Sequence, residues 1–406
     1  MPKYNGGFIG TDGLDAPDPP TDVTPTGGDS QLSIAFTAPT DTGTSAITGF
    51  VAQVSTNGTD YSAGSNTGTS SPIVVSSLSN GTSYTAKVWA INAHGTSRPS
   101  IASSAASPVP NPIGLVAGGE ISSQVNNINF KDISSTGNFA DFGDLTSNLY
   151  KGGAVSSATR AVFAHGNSTN VMSYVAPATT GDSTDFGDLS ENKTEFGSLG
   201  NATRGLIQIG GGQTGDDEVE YITIASTGNS TNFGDMTEAR QQCAGFASPT
   251  RGVAAVGQTR KSGGGGDTLR IDYCTIASTG NFIDFGNGIK LRNIDPNGCS
   301  SETRGVWGGG SNASGATILE YVTIASTGDA TEFGDLNSQN NSYGPASCGS
   351  NTRGLWMGGV GWVGAAYNTV VYVTIASTGN AQDFGDLAYA PRYHMTACST
   401  GHGGLQ

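Results

Sequence analysis

The residues of this chain that could take part in chemistry recur at regular spacing. Segments such as YVTIASTGDATEFGDL at 321–336 occur six times, and several copies contain Asp-Phe-Gly, for example at 141–143 and 383–385. In phosphoryl transfer this tripeptide holds Mg²⁺ beside a catalytic His-Arg-Asp loop, a strand-borne Lys and a Gly-rich phosphate loop. The sequence lacks those partners, so the repetition predicts a structural role, with the Phe packed between neighbouring units.

A second repeated element is Thr-Arg-Gly or a close variant, followed by a Gly cluster. Its arginines occur once per unit: Arg160, Arg204, Arg251, Arg304 and Arg353. Equivalent arginines around a ring could form an anion site, as clustered arginines do in sialidases, although the Ser-x-Asp-x-Gly-x-Thr-Trp boxes of sialidases are missing. The alternative is that each guanidinium pairs with turn carbonyls or repeat carboxylates.

The histidines and cysteines have no spacing typical of a catalytic or metal site. The histidines are scattered along the chain: His94, His165, His394 and His402. The cysteines are predicted to be small buried thiols, because those in equivalent repeat positions would lie too far apart for a disulfide: Cys243, Cys274, Cys299, Cys348 and Cys398. We therefore predict no catalytic residues, no metal and no cofactor.

Composition favours strands and tight turns. Of 406 residues, 62 are Gly and 13% are charged, and no window has a long apolar stripe of helical period. These features predict an all-β protein. The net charge of −15 argues against binding nucleic acid. No signal peptide or run of 18 apolar residues is found, so we expect neither ordinary export nor membrane insertion.

The N-terminal quarter of the sequence differs from the rest. Residues 1–16 are Gly-rich and aperiodic and are expected to form an extended arm. Residues 17–108 contain alternating runs at 32–39, 47–58, 72–78 and 83–95, and LSNGTSY places Leu78 and Tyr84 at the spacing of a tyrosine corner. With DPPTDVTP before these runs and INAHGTSRPS after them, the segment resembles a fibronectin type III domain. Phe36 stands where that family usually has a core Trp.

From residue 109 onward the sequence is periodic. The repeated segments end at positions 145, 189, 236, 288, 336 and 387, which are 44 to 52 residues apart, the size of a four-stranded propeller blade. Each unit predicts strands A and B around Thr-Arg-Gly and strands C and D around a Thr-Gly-Asn/Asp turn. The first unit lacks strand A, and 394–400 supplies a spare one. We predict a six-bladed β-propeller, over 109–406, that this C-terminal strand closes. The Gly pairs and the aromatic residues resemble kelch repeats.

Recognition is expected in the loops that vary between units, because variable loops on a rigid scaffold commonly carry binding. The B–C and D–A loops vary in length and chemistry, whereas the A–B and C–D turns hardly vary. Aromatic side chains could stack on a sugar and basic ones could contact an anionic glycan. The candidates are Arg260, Lys261, Arg270, Lys290, Arg292, Trp362 and Tyr367. The alternative is that these are ordinary surface loops or contacts with a neighbouring subunit.

The combination of ASTGN…DFGDL, TRG…GG and the opening NGGFIG is similar to virion structural proteins of tailed marine bacteriophages. That resemblance implies a non-enzymatic particle protein, either a tail fibre or adhesin or an outward-facing capsid decoration. Residues 1–16 and the fibronectin-like domain would attach it to other virion proteins, and the propeller would face a host polysaccharide or another virion protein. A homo-oligomer is a further candidate assembly. The alternatives are a phage depolymerase acting on host polysaccharide and a secreted bacterial adhesin.

Overall fold

The chain divides into two units, Met1–Asn111 and Pro112–Gln406. The computed structural model describes residues 15–120, 122–195, 197–209, 217–259, 266–292, 297–310, 317–337, 344–360 and 366–405. Within these ranges the regular structure is strand, apart from one 3-10 turn at Gly403–Leu405, so the all-β prediction is confirmed. Among the same residues no helix is long and apolar enough to cross a membrane. The predicted arm lies outside the described residues up to residue 14.

The described part of the first unit contains two antiparallel sheets. Its strands are β1 (Thr21–Gly28), β2 (Gln31–Thr37), β3 (Ile47–Ser55), β4 (Gly64–Gly68), β5 (Ile73–Ser76), β6 (Thr85–Asn92) and β7 (Gly95–Thr96). One sheet has the order β1-β2-β5 and the other β4-β3-β6-β7. The four runs of alternating residues correspond to β2, β3, β5 and β6. Strands β1 and β4 were not predicted, because TDVTPTGG and GSNTG have no apolar alternation.

The two sheets of the first unit share one core. Leu32, Ile34 and Phe36 of β2 are buried at alternate positions, and the Phe36 ring lies 4.8 Å from that of Phe50 on β3. Phe36 thus fills the core as an aromatic side chain. The hydroxyl of buried Tyr84 accepts a hydrogen bond from the amide of Ser79, 3.2 Å away. The predicted capping contact of Tyr84 is therefore present.

The described part of the second unit contains six four-stranded antiparallel sheets, numbered here 1 to 6. Sheet 1 consists of β8 (Ile113–Ala117), β9 (Val125–Asp132), β10 (Ala140–Leu149) and the C-terminal β33 (Thr396–Ser399). Sheet 2 consists of β11 (Gly153–Ser156), β12 (Ala161–Ala164), β13 (Thr169–Val175) and β14 (Thr184–Lys193). Sheet 3 consists of β15 (Gly197–Gly200), β16 (Arg204–Ile209), β17 (Glu218–Thr223) and β18 (Thr231–Asp235).

The remaining three sheets have the same arrangement, and a short strand pair accompanies sheet 4. That pair is β19 (Arg240–Gln241) with β22 (Gln258–Thr259). Sheet 4 consists of β20 (Ala244–Ala247), β21 (Arg251–Ala255), β23 (Arg270–Thr275) and β24 (Ile283–Asn287). Sheet 5 consists of β25 (Asn297–Ser300), β26 (Arg304–Gly308), β27 (Ile318–Thr323) and β28 (Thr331–Asp335). Sheet 6 consists of β29 (Ala346–Gly349), β30 (Arg353–Met357), β31 (Thr369–Thr374) and β32 (Gln382–Asp386).

Each sheet follows the predicted order of strands A, B, C and D, and sheet 1 takes its strand A from the C-terminal end. Strand β33 pairs antiparallel with β8, so that Cys398 lies opposite Leu115 and Ser399 opposite Gly114. The pairing predicted for 394–400 is therefore confirmed, with the strand itself limited to Thr396–Ser399. It joins residues 279 to 285 positions apart in the sequence and gives sheet 1 the same four strands as the others.

Apolar cores lie between neighbouring sheets. Each buried cluster of the second unit combines side chains of two sheets, and one cluster combines Phe384 of sheet 6 with Ile133 and Phe139 of sheet 1. The repeated Phe contributes one buried ring to each cluster: Phe142, Phe186, Phe233, Phe285, Phe333 and Phe384. The predicted packing of these rings between units is confirmed.

The Phe-Gly dipeptide of each D strand is part of Asp-Phe-Gly in several copies and of Glu332-Phe333-Gly334 in sheet 5. Hydrogen bonds join it to the C–D turn of the next sheet. The carbonyl of Phe333 accepts a bond of 2.8 Å from the amide of Gly379, and the side chain of Asn380 accepts a bond of 3.1 Å from the amide of Asp335. The same pair of bonds joins sheet 6 to sheet 1, through Phe384 and Asp386. Packing and turn geometry therefore account for the tripeptide.

Candidate functional site

The repeat arginines are used in contacts between sheets. Arg304 places its guanidinium 4.5 Å from the centre of the Tyr321 ring and donates a hydrogen bond of 2.9 Å to the carbonyl of Ile375 in sheet 6. The other four do the same on their own tyrosines and on the next sheet. Pairing with turn carbonyls is thus the interpretation that the contacts support, and the anion-site alternative is not supported.

Sheet 1 has neither partner of this contact. At the equivalent positions it has Ile113 in place of Arg and Phe130 in place of Tyr, and Phe130 packs edge-on to Phe142 at 5.5 Å. The position that would accept the bond in sheet 2 is occupied by Pro177. The junction between sheets 1 and 2 is therefore held by apolar packing where the other five junctions also have a cation.

The predicted ligand-binding residues differ in exposure, and three of them are not described by the structure. Arg260, Lys261 and Trp362 lie outside the described residues. Arg270 has a side chain 40% exposed and lies 3.6 Å from Glu238 and 3.5 Å from Asp284. Lys290 and Tyr367 are half-buried. Among the predicted residues that are described, Arg270 is the one whose guanidinium combines exposure with a position at the loop end of a strand.

Arg292 is buried, which corrects its assignment as a ligand-binding residue. Its side chain is 1% exposed and forms an ion pair of 3.0 Å with the fully buried Glu320, and it donates a bond of 2.8 Å to the carbonyl of Gly309. The neighbouring Ile289 and Leu291 are 40% and 45% exposed. The charged side chain is thus buried while its two aliphatic neighbours are exposed. The cause is Glu320, because a carboxylate buried on β27 needs a cation and the loop supplies one.

A second buried pair is formed in the same way beside sheet 4. Arg240 contacts Asp272 at 2.9 Å, and both side chains are fully buried. Burial raises the pKa of the Asp272 carboxyl, and the charge of Arg240 opposes that shift. Burial also lowers the pKa of the Arg292 guanidinium, against the effect of Glu320. These pairs join each D–A loop to strand C of the sheet that follows it and are structural.

A cavity lies among the A strands of the six sheets. It has a volume of about 110 Å³, and one buried water needs roughly 10–15 Å³ on this measure. The A strands stand side by side around it: the Ser198 hydroxyl donates to the carbonyl of Ala154 at 2.8 Å, and the Ser300 hydroxyl donates to that of Ala247 at 2.7 Å. Equivalent positions of neighbouring A strands are therefore level, and the cavity has two distinct ends.

One end of the cavity, which we call the mouth, is formed by the residues two positions before each A strand. In the described sheets these are Lys151, Glu195, Gln242, Gly344 and His394, and all have φ between 50° and 62°. Asp295, the equivalent residue of sheet 5, lies outside the described residues. Main-chain hydrogen bonds connect neighbours around the mouth: the Glu195 amide bonds to the Lys151 carbonyl, and the Lys151 amide bonds to the His394 carbonyl. A positive φ is unfavourable for a residue that has a side chain. Each such residue costs on the order of 1–3 kcal/mol.

The side chains at the mouth form a polar cluster. Lys151 and Glu195 are in direct contact, and each side chain is 17% exposed. The amide of Gln241 donates a bond of 2.7 Å to the same carboxylate. The His394 ring lies between two tyrosines, 5.1 Å from Tyr150 and 5.0 Å from Tyr393. The cluster thus offers a cation, a carboxylate, amides and aromatic edges within one ring of residues.

The opposite end of the cavity is covered by the C-terminal residues. The His402 ring bonds to the carbonyl of Ser156 in sheet 2 at 3.0 Å, and the amide of Ala202 after strand A of sheet 3 donates to the carbonyl of Gly404 at 3.1 Å. Gly403 packs against the main chain of Ser301, after strand A of sheet 5. His402 and the 3-10 turn that follows it thus contact three different sheets at one end of the cavity.

Several other titratable groups are buried. His165 is fully buried between the hydroxyls of Ser147 and Ser173, each 2.7 Å away, and burial lowers its pKa to about 4. All five cysteines are buried and free, as predicted. Burial raises the pKa of Cys398 to about 12. No group of three or more His, Cys, Asp or Glu residues suited to a metal ion occurs among the described residues.

Sequence reasoning identified the variable loops but missed the mouth. The signal lies in the alignment of the units: just before strand A the residue is Lys, Glu, Gln, Gly or His, although the strand that follows keeps its pattern of small residues. Nothing in a single sequence shows that these five positions meet, because their spacing of about 50 residues is bridged only by the packing of six sheets.

Comparison with known proteins identifies the first unit. The family model "Fibronectin type III domain" matches residues 18–106. These residues form a fibronectin type III domain. Among solved structures, the crystal structure of domains A168–A170 from titin is 26% identical, with a TM-score of 0.22. That match covers 24% of this chain and about a third of the titin chain, 33%. No match was found among curated proteins.

Proposed function

We propose that the six sheets are the blades of a six-bladed β-propeller that strand β33 completes. Three contacts between sheet 6 and sheet 1 support the proposal: the shared core of Phe384 and Ile133, the bond from Gly137 to the Phe384 carbonyl, and the bond from Arg353 to the Ile133 carbonyl. Each repeats a contact that joins two sheets consecutive in sequence. In a closed ring every sheet packs against another sheet on both of its faces. Packing between neighbouring units is what stabilises a repeat architecture.

We further propose that the protein is a non-enzymatic structural component of a bacteriophage particle, either a tail fibre or adhesin or a capsid decoration. The N-terminal arm and the fibronectin type III domain would attach it to other virion proteins, and the propeller would be displayed toward a host-surface glycan or another virion protein. This proposal rests in part on the resemblance of the repeats to virion proteins and places the protein on the particle surface after assembly in the host cytoplasm.

One observation supports the display function. The residues that repeat between units are used to join neighbouring sheets, whereas the residues that vary lie at the opposite edge of the sheets. The Arg of each Thr-Arg-Gly lies on its tyrosine, and each Asp-Phe-Gly bonds to the next turn. The loops and the mouth, which carry different side chains in each sheet, remain for recognition. Binding at loops that a rigid scaffold holds in place is the usual division of work in such folds.

Purified particles test the proposal. Mass spectrometry of particles separated on a density gradient is expected to detect the protein, and antibody against the propeller is expected to label the particle surface. Absence of the protein from infectious particles would contradict it. In a second measurement, purified protein is incubated with capsular polysaccharide of the host, and no new reducing ends are expected. Their appearance would instead support the depolymerase alternative.

A further inference from the structure

We propose that the mouth of the propeller cavity binds the terminal, uncharged sugar residue of a glycan. This inference rests on the proposed display function and adds to it the place of binding and the class of ligand. It differs from the sequence prediction, which assigned recognition to the variable B–C and D–A loops, with aromatic residues that stack on a sugar and basic residues that contact an anionic glycan.

The space available fits one small ring. The cavity of about 110 Å³ corresponds to several water positions at roughly 10–15 Å³ for each. A site of this kind, concave and lined by a few convergent polar groups, is the usual setting for a small ligand. The A strands that line it are held level by hydroxyl bonds such as those of Ser198 and Ser300, so its walls are formed by the rigid part of each sheet.

The polar groups fit a neutral hydroxylated ligand. Lys151 supplies donors only, Glu195 supplies acceptors only, and the side chain of Gln242 supplies both, which is the combination that adjacent sugar hydroxyls satisfy. The charges of Lys151 and Glu195 cancel within the contact between them. The net charge of the whole chain is −15, which disfavours the approach of an acidic glycan. An uncharged sugar needs no net charge at the mouth and is not repelled by the net negative charge of the chain.

Two tyrosines directly precede residues of the mouth in the sequence, and we place them at its rim. The half-buried Tyr150 and Tyr393 flank His394 at ring distances of 5.1 and 5.0 Å. Tyrosine offers a flat apolar face together with a polar tip, and is therefore suited to the C–H face and the hydroxyls of a sugar ring. Their position would place the second sugar of a chain at the rim while the first enters the mouth.

The covered end of the cavity restricts binding to the end of a chain. His402, Gly403 and Gly404 contact sheets 2, 3 and 5 across the end opposite the mouth. A polysaccharide cannot thread through a cavity with one end covered, so only a terminal residue can occupy it. The mouth itself is pre-formed by main-chain bonds between Lys151, Glu195 and Gln242, which lowers the entropic cost of binding.

Saturation-transfer difference NMR on the full chain tests the proposal. The probes are the methyl glycosides of glucose, galactose and N-acetylglucosamine, with glucuronate as the anionic comparison and a neutral trisaccharide as the chain-end comparison. We expect at least one neutral glycoside to bind, the trisaccharide carrying it at its terminus to compete, and glucuronate to fail. The double variant Lys151→Met/Glu195→Gln is expected to bind at least tenfold more weakly.

Two further variants make the result decisive. Gln242→Ala removes one amide without removing the ion pair and is expected to weaken binding several-fold, which keeps a test available if the double variant does not fold. Arg270→Gln, at the loop end of β23, is expected to leave glycoside affinity unchanged within twofold. No binding of any neutral glycoside, or equal binding by the mouth variants, would overturn the proposal.

The outcome separates this inference from the function on which it rests. If host polysaccharide still binds the mouth variants but not Arg270→Gln, recognition lies on the outer loops; the cavity proposal is then wrong and the display function stands. If the protein is missing from particles, the proposed function is wrong whatever the glycosides show.

Discussion

The two edges of the six sheets use the same scaffold in opposite ways. At the edge of the A–B and C–D turns, which we call the turn edge, equivalent residues repeat and bond to the next sheet, as in the bonds from Gly328 to Phe285 and from Gly379 to Phe333. At the edge of the B–C and D–A loops, the loop edge, equivalent residues differ, as Lys151, Glu195 and His394 do. Both edges have closely packed main chain, so packing alone does not explain the difference.

This comparison shows where sequence identity between units is required. A contact that joins every sheet to the next requires the same residues in every unit, because the same turn meets the same strand six times. A position whose main chain bonds to its neighbour while its side chain points to the cavity permits any residue that tolerates the geometry. We therefore expect substitutions at the turn edge to act on stability and those at the mouth to act on binding.

The largest effect is expected from removing strand β33. Truncation after Tyr393 deletes the strand that pairs with β8 and leaves an unpaired edge on sheet 1, so we expect loss of the cooperative thermal transition of the second unit and aggregation. Truncation after Thr400 removes only the residues that cover the cavity and should keep the transition. A truncation after Tyr393 that melts as the full chain does would contradict the proposed closed ring.

The next largest effect is expected at Arg292, which belongs to one of the two buried ion pairs at the loop edge. Arg292→Met leaves the carboxylate of Glu320 buried without its cation, which typically costs about 3–5 kcal/mol of the free energy of unfolding. Urea denaturation measures it. The double variant Arg292→Met/Glu320→Leu should recover most of the loss, and Arg270→Met should cost less than about 1 kcal/mol because that side chain is 40% exposed.

A glycine pair within one unit tests the turn edge directly. An alanine Cβ at Gly334 would lie 2.3 Å from the carbonyl oxygen of Gly379 in the next sheet, whereas one at Gly328 would meet nothing within 4 Å. The two have nearly equal φ, 154° and 153°, so backbone strain is matched. We expect Gly334→Ala to lower the free energy of unfolding by about 2–4 kcal/mol more than Gly328→Ala does. Equal losses would show that the sheets are not held at this contact.

The buried His165, at the loop edge, should make the stability of the protein depend on pH. Its pKa is lowered to about 4 in the folded protein, and an exposed histidine titrates near 6.5. Between these values the unfolded chain binds the proton and the folded chain does not, so stability is complete above about pH 6.5 and falls as the pH approaches 4. The loss from this residue is about 3 kcal/mol. His165→Gln should flatten that part of the profile.

The smallest effect is expected from converting one junction to the composition of another. Arg304→Ile with Tyr321→Phe reproduces the pair Ile113 and Phe130 of sheet 1 and removes the bond of 2.9 Å to Ile375. The loss should be about 1–2 kcal/mol, from one charged hydrogen bond and one cation–π contact. Arg304→Ile alone should cost at least as much. A loss above about 4 kcal/mol would mean that the arginine has a role beyond this contact.

Much of the fold could be predicted from the sequence, and the reasons are local. Period-2 alternation predicted β2, β3, β5 and β6. The repeated Thr-Arg-Gly and Thr-Gly-Asn/Asp segments predicted the strands of each unit, and the spare segment at 394–400 predicted the partner of β8. Strands β1 and β4 escaped because their residues are polar or Pro- and Gly-containing, and they become strands only by pairing with a neighbour.

The candidate site could be predicted only as a region. The variable loops were identified, yet Arg292 turned inward and Ile289 and Leu291 outward, because the charge of Glu320 in another strand decided the direction of the loop. Composition suggests a basic, exposed segment there. The energy of an unpaired buried carboxylate exceeds that of exposing two aliphatic side chains, and a sequence read one segment at a time does not compare the two.

The sequence by itself determined the strands, the tight turns and the repeated residues of the turn edge, since these depend on the geometry of neighbours in the chain. Only the tertiary structure decided what lies next to what across the units: that the repeat arginines rest on tyrosines, that Arg292 is buried, and that Lys151, Glu195 and His394 meet around one cavity. The physical reason is distance along the chain. Contacts between residues some 50 to 290 positions apart depend on how many sheets pack and at what angle, which no single segment encodes.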